Sequence, residues 1–480
     1  MTTPTDFREI VRTNREKIAA LQKLPLTEAR CREICDLYEP LIEPAAETLT
    51  ELDVLLDYSK FLAKQQQYDR GLSVAERLQQ CYDSPAVQIS NSKRSMLLNL
   101  FGLFFFKSDP ARAQDCFRRG IALCPEQDGE TPEAKLARWK CSYNLERLLS
   151  SGNGTATESE ALLRIALSLA RQLSEISEQE YADLLPISCI SMASHLINSR
   201  KKDEAEPLLR EALAISRRLV SDTSDSRYLL ANSCINFAVF LHSTGKPEEA
   251  EPYLQEACSL AQRLAEELPT LYEELLAKCS CVFAYHLQNS HRPRQAEQLL
   301  LQAMEIYRKT PDQYVSEIAT GYHNLAYACS LQQKKTEAKA YFDEAMARRR
   351  PMYDRNPREN AVPLARLCGD YANFQRENNR ISSAEKLLEE SIQFCRTAAA
   401  EGVDDAELTL GNCLLNRGSL ALQLMQKTKA EAYYRESLSI LEKYPQAKDN
   451  VAQLQNVLNE YFRKSPARKF WERLTGKNRT

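Results

Sequence analysis

The chain carries a repeating hydrophobic pattern that has the period of an α-helix. In the best-formed copy, the small residues Ala250 and Ala257 lie seven positions apart, with the large apolar residues Tyr253 and Leu254 between them. This spacing places the four side chains on one face of a helix. A second apolar helical pattern, residues 236–242, precedes the first after a short polar turn. Each repeat therefore predicts two helices that pack antiparallel to one another.

The pattern occurs nine times at nearly constant spacing. We call the first small residue of each second helix the anchor, and the intervals between successive anchors are all 42–46 residues. The anchors are Gly71, Ala113, Ser159, Ala205, Ala250, Ala296, Ala338, Ala384 and Ala430. Such a period predicts a stacked array of helix pairs instead of separate globular domains. Small anchor residues would let the helix axes approach to about 8–10 Å.

Glycine and proline indicate where the helices begin and end. Gly245 suits a helix C-cap, and Pro247 suits the first turn of the helix that follows. We expect Pro207 and Pro252 to lie within about one turn of a helix start, where no intrahelical hydrogen bond is lost. The turn at Gly152–Gly154 is longer and richer in glycine than the others, so we predict a hinge there.

This pattern resembles the tetratricopeptide repeat, and the resemblance covers roughly residues 50–445. It is clearest over residues 236–258, which place Ala238, Gly245, Ala250 and Ala257 in the family's small and turn positions. The longer repeat is similar to that of kinesin light chains and of many bacterial arrays. The resemblance implies an all-α fold, a right-handed superhelical solenoid of antiparallel helix pairs.

Four regions are expected along the chain. Residues 1–48 are predicted to form an N-terminal helical cap, and residues 49–445 a solenoid of about nine helix pairs. Residues 446–463 are predicted to form a C-terminal capping helix, because the ends of a repeat array need a polar outer face. Residues 464–480 form a basic, aromatic tail.

The composition narrows the class of function. The 63 basic and 66 acidic residues give a net charge of −3, which argues against general nucleic-acid binding. The 15 cysteines lack the spacing of a disulfide framework, so we expect them to be reduced apolar fillers. The N-terminus lacks the apolar core of a secretion signal, and the apolar stretch at residues 97–106 is too short to span a membrane. We therefore expect a cytoplasmic protein.

The sequence contains few residues suited to catalysis or metal binding. No zinc motif, phosphate-binding loop or nucleophile elbow occurs. The cysteines at 31 and 35 and at 279 and 281 are not spaced as metal ligands. We expect no enzyme activity, no cofactor and no metal, and we interpret the five histidines as surface or packed residues: His195, His242, His286, His291 and His323.

The resemblance also implies where a partner would bind. In this family the first helix of each pair lines a concave groove. Carried over to this sequence, the groove positions are Asn232, Val239, His242, Lys278, Tyr285, Gln288, His323, Tyr327, Arg366, Asn373 and Arg376. Three of them, Arg366, Asn373 and Arg376, resemble the set with which some family members bind a carboxylate.

The tail offers a second candidate contact. Lys469, Phe470, Trp471 and Arg473 could form an amphipathic turn that rests on an anionic membrane or an acidic partner. The alternative is a solvated tail that contacts nothing.

Four hypotheses for function follow. The leading one is a non-catalytic interaction scaffold or adaptor that binds a peptide or helix of a partner protein in the groove. The second is a ligand- or peptide-responsive regulatory sensor. The third is a membrane-surface assembly factor that depends on the tail. An enzyme is the fourth, and it would need a cluster of titratable groups that the sequence spacing does not reveal.

Overall fold

The computed structural model of the protein describes residues 4–22, 27–42, 49–83, 89–126, 130–150, 155–199, 201–219, 223–403 and 405–462. These residues form 21 α-helices, two short 3-10 helices (Pro247–Glu249 and Pro445–Ala447) and no strand. The α-helices are α1 (Pro4–Gln22), α2 (Glu28–Ile42), α3 (Leu49–Lys64), α4 (Tyr68–Asp83), α5 (Asn91–Phe105), α6 (Pro110–Leu123), α7 (Pro132–Ser150), α8 (Ala156–Ile176), α9 (Leu184–Asn198), α10 (Lys202–Leu219), α11 (Ser224–Ser243), α12 (Glu251–Glu267), α13 (Pro269–Asn289), α14 (Pro293–Tyr307), α15 (Val315–Leu331), α16 (Lys335–Arg355), α17 (Pro357–Glu377), α18 (Ile381–Ala400), α19 (Ala406–Gln423), α20 (Lys427–Leu441) and α21 (Lys448–Phe462). The predicted all-α fold class is confirmed.

The chain divides into two compact units. Unit 1 comprises residues 1–237 and 255–276, and unit 2 comprises residues 238–254 and 277–480. Unit 2 has no single central core among its described residues but a series of clusters, each joining consecutive helices. One cluster brings Cys329 of α15 and Phe342 of α16 against Leu364 and Tyr371 of α17. Clusters of this kind are what a stacked repeat requires.

All nine anchors are buried, and so are all nine residues that lie seven positions after them. The seven-later residues are Leu78, Gly120, Ala166, Ala212, Ala257, Ala303, Ala345, Ser391 and Ser437. Where Phe101 takes a position that is small in most other repeats, the close approach moves to Gly102. A Cβ on Gly102 would lie 2.4 Å from the ring of Phe117. The small residues therefore mark the points of closest contact between helices.

Six first helices end in the same hydrogen-bonded turn. The second residue after each helix has a left-handed backbone, and the residue after that donates its N–H to a carbonyl five positions back, at 2.8–2.9 Å. This is the Schellman C-cap. Gly245 (φ 75°) occupies this position as predicted, but the other five turns use residues that the sequence did not mark: Gln66, His291, Gln333, Asn379 and Met425.

The two prolines behave differently. Pro252 is the second residue of α12, as expected. Pro207 is the sixth residue of α10, so the prediction that it falls within the first turn was wrong. Packing of the apolar face outweighs the one intrahelical hydrogen bond that proline removes there.

Ion pairs repeat along the second helices of both units. An arginine twelve residues after one anchor contacts a glutamate six residues after the next anchor. The pairs are Arg171–Glu211 (3.1 Å) and Arg217–Glu256 (2.7 Å) in unit 1, and Arg350–Glu390 (2.6 Å) and Arg396–Glu436 (3.0 Å) in unit 2. Each pair is solvent-exposed and adds little stability alone, on the order of 0.2–1 kcal/mol. The recurrence of these pairs shows that neighbouring repeats pack in the same register.

Most of the described cysteines are buried thiols. Burial raises the pKa of Cys141 and of Cys368 to about 12, so these thiols stay protonated. A protonated buried thiol acts as a small apolar group, as the sequence led us to expect.

No helix in the described ranges has both the length and the hydrophobicity that crossing a membrane requires.

Two predicted features lie outside the described residues. They are the hinge at Gly152–Gly154 and the tail contact at Lys469, Phe470, Trp471 and Arg473. The expected caps correspond to α1 and α2 at one end and α21 at the other. The boundaries of the four regions stay predictions.

We predict that enlarging a seven-later residue destabilises the array while enlarging a neighbouring exposed residue does not. Ala345 of α16 has no exposed surface, whereas Ala347 two residues later is exposed. Ala345→Leu should lower the free energy of unfolding by about 1–3 kcal/mol, because the buried site has no room. Ala347→Leu should change it by less than about 0.5 kcal/mol. Urea unfolding followed by circular dichroism measures both, and equal effects would contradict the packing assignment.

Candidate functional site

A row of polar side chains joins the first helices of unit 2. Each hydrogen-bonded pair joins two successive helices of this layer. The row therefore runs from residues 238–243 of α11 through the first helices α13, α15, α17 and α19 to the last helix, α21. We call it the polar ladder. Its members are His242, His286, Gln288, His323, Asp370, Asn373, Asn412, Asn416 and Asn450, and Asn324 joins it through its backbone carbonyl.

The ladder begins at a pair of histidines. His242 Nε2 lies 3.3 Å from His286 Nδ1, and the ring of Tyr285 packs edge-on against His242 with centroids 5.7 Å apart. His286 Nε2 lies 3.5 Å from the carboxylate of Glu251, which also pairs with Arg292. Burial, and then the charge of His286, lower the pKa of His242 to about 4. His242 is therefore neutral at physiological pH.

The middle of the ladder combines an amide, a histidine–aspartate contact and two tyrosines. Gln288 donates from Nε2 to the backbone carbonyl of Asn324 at 2.7 Å, and His323 Nε2 lies 2.8 Å from Asp370 Oδ2. Burial raises the pKa of Tyr327 to about 12, with Asp370 and then Tyr285 adding to the effect. Tyr327 therefore keeps its phenolic proton and can donate a hydrogen bond.

Carboxamides form the far end. Asn373 donates to Asn416 at 3.2 Å, and Asn450 donates to Asn412 at 2.8 Å. Arg376 donates from Nη2 to the side-chain oxygen Oδ1 of Asn373 at 3.4 Å. Each carboxamide offers two donor hydrogens and an acceptor oxygen, so these bonds leave hydrogen-bonding capacity for a further group.

Arg366 lies beside this end and bridges α17 to the start of α19. It donates from Nε to Thr409 Oγ1 at 3.2 Å and pairs with Asp405 at 3.1 Å. The guanidinium is half exposed, so it adds positive charge to the surface next to the carboxamides.

Of the predicted groove residues of unit 2, His242, Gln288, His323 and Asn373 belong to the ladder, and Tyr285 and Arg376 contact it. Val239, Lys278, Tyr285 and Arg366 are exposed; His242, His323, Tyr327, Asn373 and Arg376 are half-buried; Gln288 is buried. Asn232 belongs to unit 1, where it accepts a hydrogen bond from Asn236 one turn later, and it is not part of the ladder. Whether these residues contact a partner stays a prediction.

Sequence reasoning missed several ladder members. Asn324, Asp370 and Asn416 each lie fourteen residues before an anchor, and this recurrence was the available signal. Asn450 lies in the capping helix beyond the last anchor, and nothing in the repeat marks it. His286 was interpreted, with the other histidines, as a surface or packed residue, and it is buried at 3% exposure.

One group of side chains in unit 2 has the donor types of a metal site. Ligand atoms of Glu297, Cys329 and Glu337 lie within 4.8 Å of one another. The ammonium of Lys334 lies 2.7 Å from Glu297, and burial followed by Glu297 raises the pKa of Cys329 to about 12. A lysine already supplies the positive charge and the thiol is protonated, so the group is an ion-pair cluster.

Three segments of the chain match a known repeat family. Residues 190–226, 230–267 and 318–355 match the family model described as tetratricopeptide repeat. No curated protein sequence matches the chain.

Solved structures of similar fold are distant in sequence. The apo form of the quorum sensor NprR from B. thuringiensis is 14% identical, covers 81% of this chain and 99% of that one, and has a TM-score of 0.51. The apo form of RapI is 13% identical over 82% of this chain and 98% of its own, with a TM-score of 0.49. A Rap protein complexed with Competence and Sporulation Factor is 14% identical over 84% and 99%, with a TM-score of 0.47. At this identity, the likeness to NprR shows the fold alone.

We predict that His242 makes the fold sensitive to mild acid. Its folded-state pKa of about 4 lies below the ordinary value of 6.5, so the unfolded chain takes up the proton first as pH falls. The stability that depends on a neutral His242 is complete above pH 6.5 and is lost as pH falls toward 4. Thermal unfolding from pH 7 to 4 should show a smaller loss of stability in His242→Gln than in the wild type. Parallel curves for the two proteins would contradict the assignment.

Proposed function

We propose that unit 2 of this helical repeat protein, three segments of which match the tetratricopeptide repeat model, binds a peptide or helix of a partner protein on the polar ladder. The observation that supports the proposal most is the ladder itself. It presents carboxamides, imidazoles and phenols at regular intervals across successive first helices. A row of this kind suits a long, thin ligand better than a compact one.

The chemistry of the ladder matches a peptide backbone. Asn373, Asn416 and Asn412 can each donate and accept, as a peptide group does. Near the histidine end of the ladder, Tyr285 and Val239 are 51% and 45% exposed, and they offer apolar contact area for partner side chains. Lys278 is exposed and adds positive charge. The site would therefore bind mainly the backbone amides of a partner peptide, and contacts with the peptide's side chains would be secondary.

A binding role fits the ladder better than catalysis does. The His323–Asp370 pair orients an imidazole as an acid–base pair would. In the described part of the chain, however, no hydroxyl or thiol lies within hydrogen-bond distance of His323. We accordingly propose a non-catalytic protein that works in the reducing environment of the cytoplasm, where its buried thiols persist.

One contact supports the second candidate, a regulatory sensor. Lys448 donates from Nζ to the carbonyl of Gly245 at 3.1 Å, joining the first turn of unit 2 to the start of its last helix. A Cβ on Gly245 would lie 2.8 Å from the carbonyl oxygen of Pro445. A ligand that drew the first helices together or apart would strain this contact. The ladder could therefore report its occupancy through the shape of unit 2.

We predict that charge reversal on the ladder side weakens peptide binding. A peptide selected from a random displayed library on the full-length protein serves as the probe. The double variant Lys278→Glu, Arg376→Glu should bind it at least about tenfold more weakly. It replaces two cations by two anions, so attraction for acidic groups of the peptide is lost and repulsion is added. The matched control is Lys335→Glu, Arg435→Glu, which makes the same charge change at exposed positions of the second helices α16 and α20. Equal affinity of the two variants in fluorescence anisotropy would exclude the ladder as the site.

Small-angle scattering separates the scaffold from the sensor. If unit 2 is a sensor, saturation with the same peptide should reduce the radius of gyration, and Gly245→Val should weaken that response by disturbing the contact with Pro445. If unit 2 is a passive scaffold, the radius should stay the same within error. The membrane hypothesis makes a different prediction, that liposome binding is lost when residues 464–480 are deleted.

A further inference from the structure

Arg417 breaks the pattern of the repeat. It lies thirteen residues before its anchor, at a position where most other repeats have a large apolar or aromatic side chain. The equivalent residues are Tyr58, Leu100, Glu146, Met192, Phe237, Phe283, Leu325 and Tyr371. Arg417 is nevertheless buried, with 5% of its surface exposed.

A charge at such a position does not help the protein fold. Removing a guanidinium from water is unfavourable, and replacing a buried ion pair by apolar residues is often neutral or stabilising. Met192 and Leu100 show that this fold accepts an unbranched or aliphatic side chain at the same position. Only Glu146 among its structural equivalents is also charged, and a residue that departs from a pattern kept by the other seven points to a function.

The partners of Arg417 leave part of its guanidinium unused. Nη2 pairs closely with Glu385 at 2.6 Å and loosely with Glu389 at 3.5 Å. Nε and Nη1 are buried and have no hydrogen-bond partner. The Glu389 side chain is 66% exposed, so its contact with Arg417 is easily displaced.

Arg417 also lines a pocket between the second helices α18 and α20. The pocket has a volume of about 320 Å³, near the lower end of the range for small-ligand sites. Ile392, Gln393, Arg396 and Thr397 of α18 line it together with Tyr433 of α20. The Arg417 guanidinium carbon lies 5.6 Å from the centre of the Tyr433 ring, which helps to hold it in place. No ladder residue contributes to this pocket.

We propose that this pocket binds a carboxylate group, with Arg417 as its main partner and Glu389 as the side chain that it displaces. A planar carboxylate matches the fork of a guanidinium, and Arg396 at the rim adds a second positive charge. The carboxylate can belong to a small organic acid or to the C-terminus of a peptide. Either source would make the pocket a second site, lined mainly by the second helices α18 and α20 and by no ladder residue.

The test uses two pairs of probes on the full-length protein by isothermal titration calorimetry at constant ionic strength. Succinate is compared with succinamide, and trialanine with its C-terminal amide. We expect the wild type to bind at least one carboxylate probe and neither amide. Binding of succinate alone identifies a small acid, and binding of trialanine alone identifies a peptide terminus. No binding of either carboxylate probe, or equal binding of the amides, overturns the proposal.

Two variants separate this role from a structural one. Arg417→Met should abolish binding while the thermal midpoint stays equal to or above that of the wild type, because methionine suits the position. Glu389→Gln removes the competing carboxylate and should tighten binding about threefold or more. Arg435→Met, on the exposed face of α20 and outside the pocket lining, is the control and should leave binding unchanged.

The outcomes that contradict the site are equally specific. Unchanged affinity in Arg417→Met overturns the proposal. Unchanged or weaker affinity in Glu389→Gln also overturns it, so the test still decides if Arg417→Met fails to fold. The ladder variant Lys278→Glu, Arg376→Glu should retain carboxylate binding, so failure of one site does not decide the other.

Discussion

Close approach between paired helices, made possible by small anchor residues, is the constraint on which the rest of the structure depends. Ala338 and Ala345 of α16 have no exposed surface, and the same is true of Ala205 and Ala212 of α10. Contacts this close fix both the distance and the axial register of neighbouring helices, because interiors are packed too densely to tolerate slippage. Side chains that share a position in the repeat then recur at matching places along each unit. The polar ladder and the exposed Arg–Glu pairs are both consequences of that register.

The sequence was sufficient for the array and for some of its details. Its small and large residues recur at a helical period, and that signal survives variation at individual positions. The turn at Gly245 was also predictable, because glycine adopts the left-handed conformation without strain. The same turn at Gln333 or Met425 was not, because the local sequence does not mark these residues. There the tertiary packing of the two flanking helices outweighs local preference.

The candidate site was only partly predictable, for a related reason. Family positions indicated Asn373 and His323, but their partners Asn416 and Asp370 are more than 40 residues away in sequence. Such pairs become visible only when the register between helices is known. The sequence analysis did not single out Arg417. Its signal was nevertheless local, because a charged residue at a usually apolar position of the repeat is visible in the sequence alone. In a repeat protein, positions that depart from the repeat are therefore as informative about function as positions that keep it.

The two layers of unit 2 differ in how they treat polar groups. On the first helices, carboxamides bond to one another and keep donors and acceptors for a ligand. On the second helices, charges pair at the surface. Arg417 belongs to the first helix α19, and it alone is buried with unused donors among the described arginines of α18, α19 and α20. The direct measurement of the central claim is photo-crosslinking of a bound peptide to the full-length protein, with the modified residues located by mass spectrometry. Adducts on α13, α15, α17 and α19 are the predicted result, and adducts confined to α14, α16, α18 and α20 would contradict it.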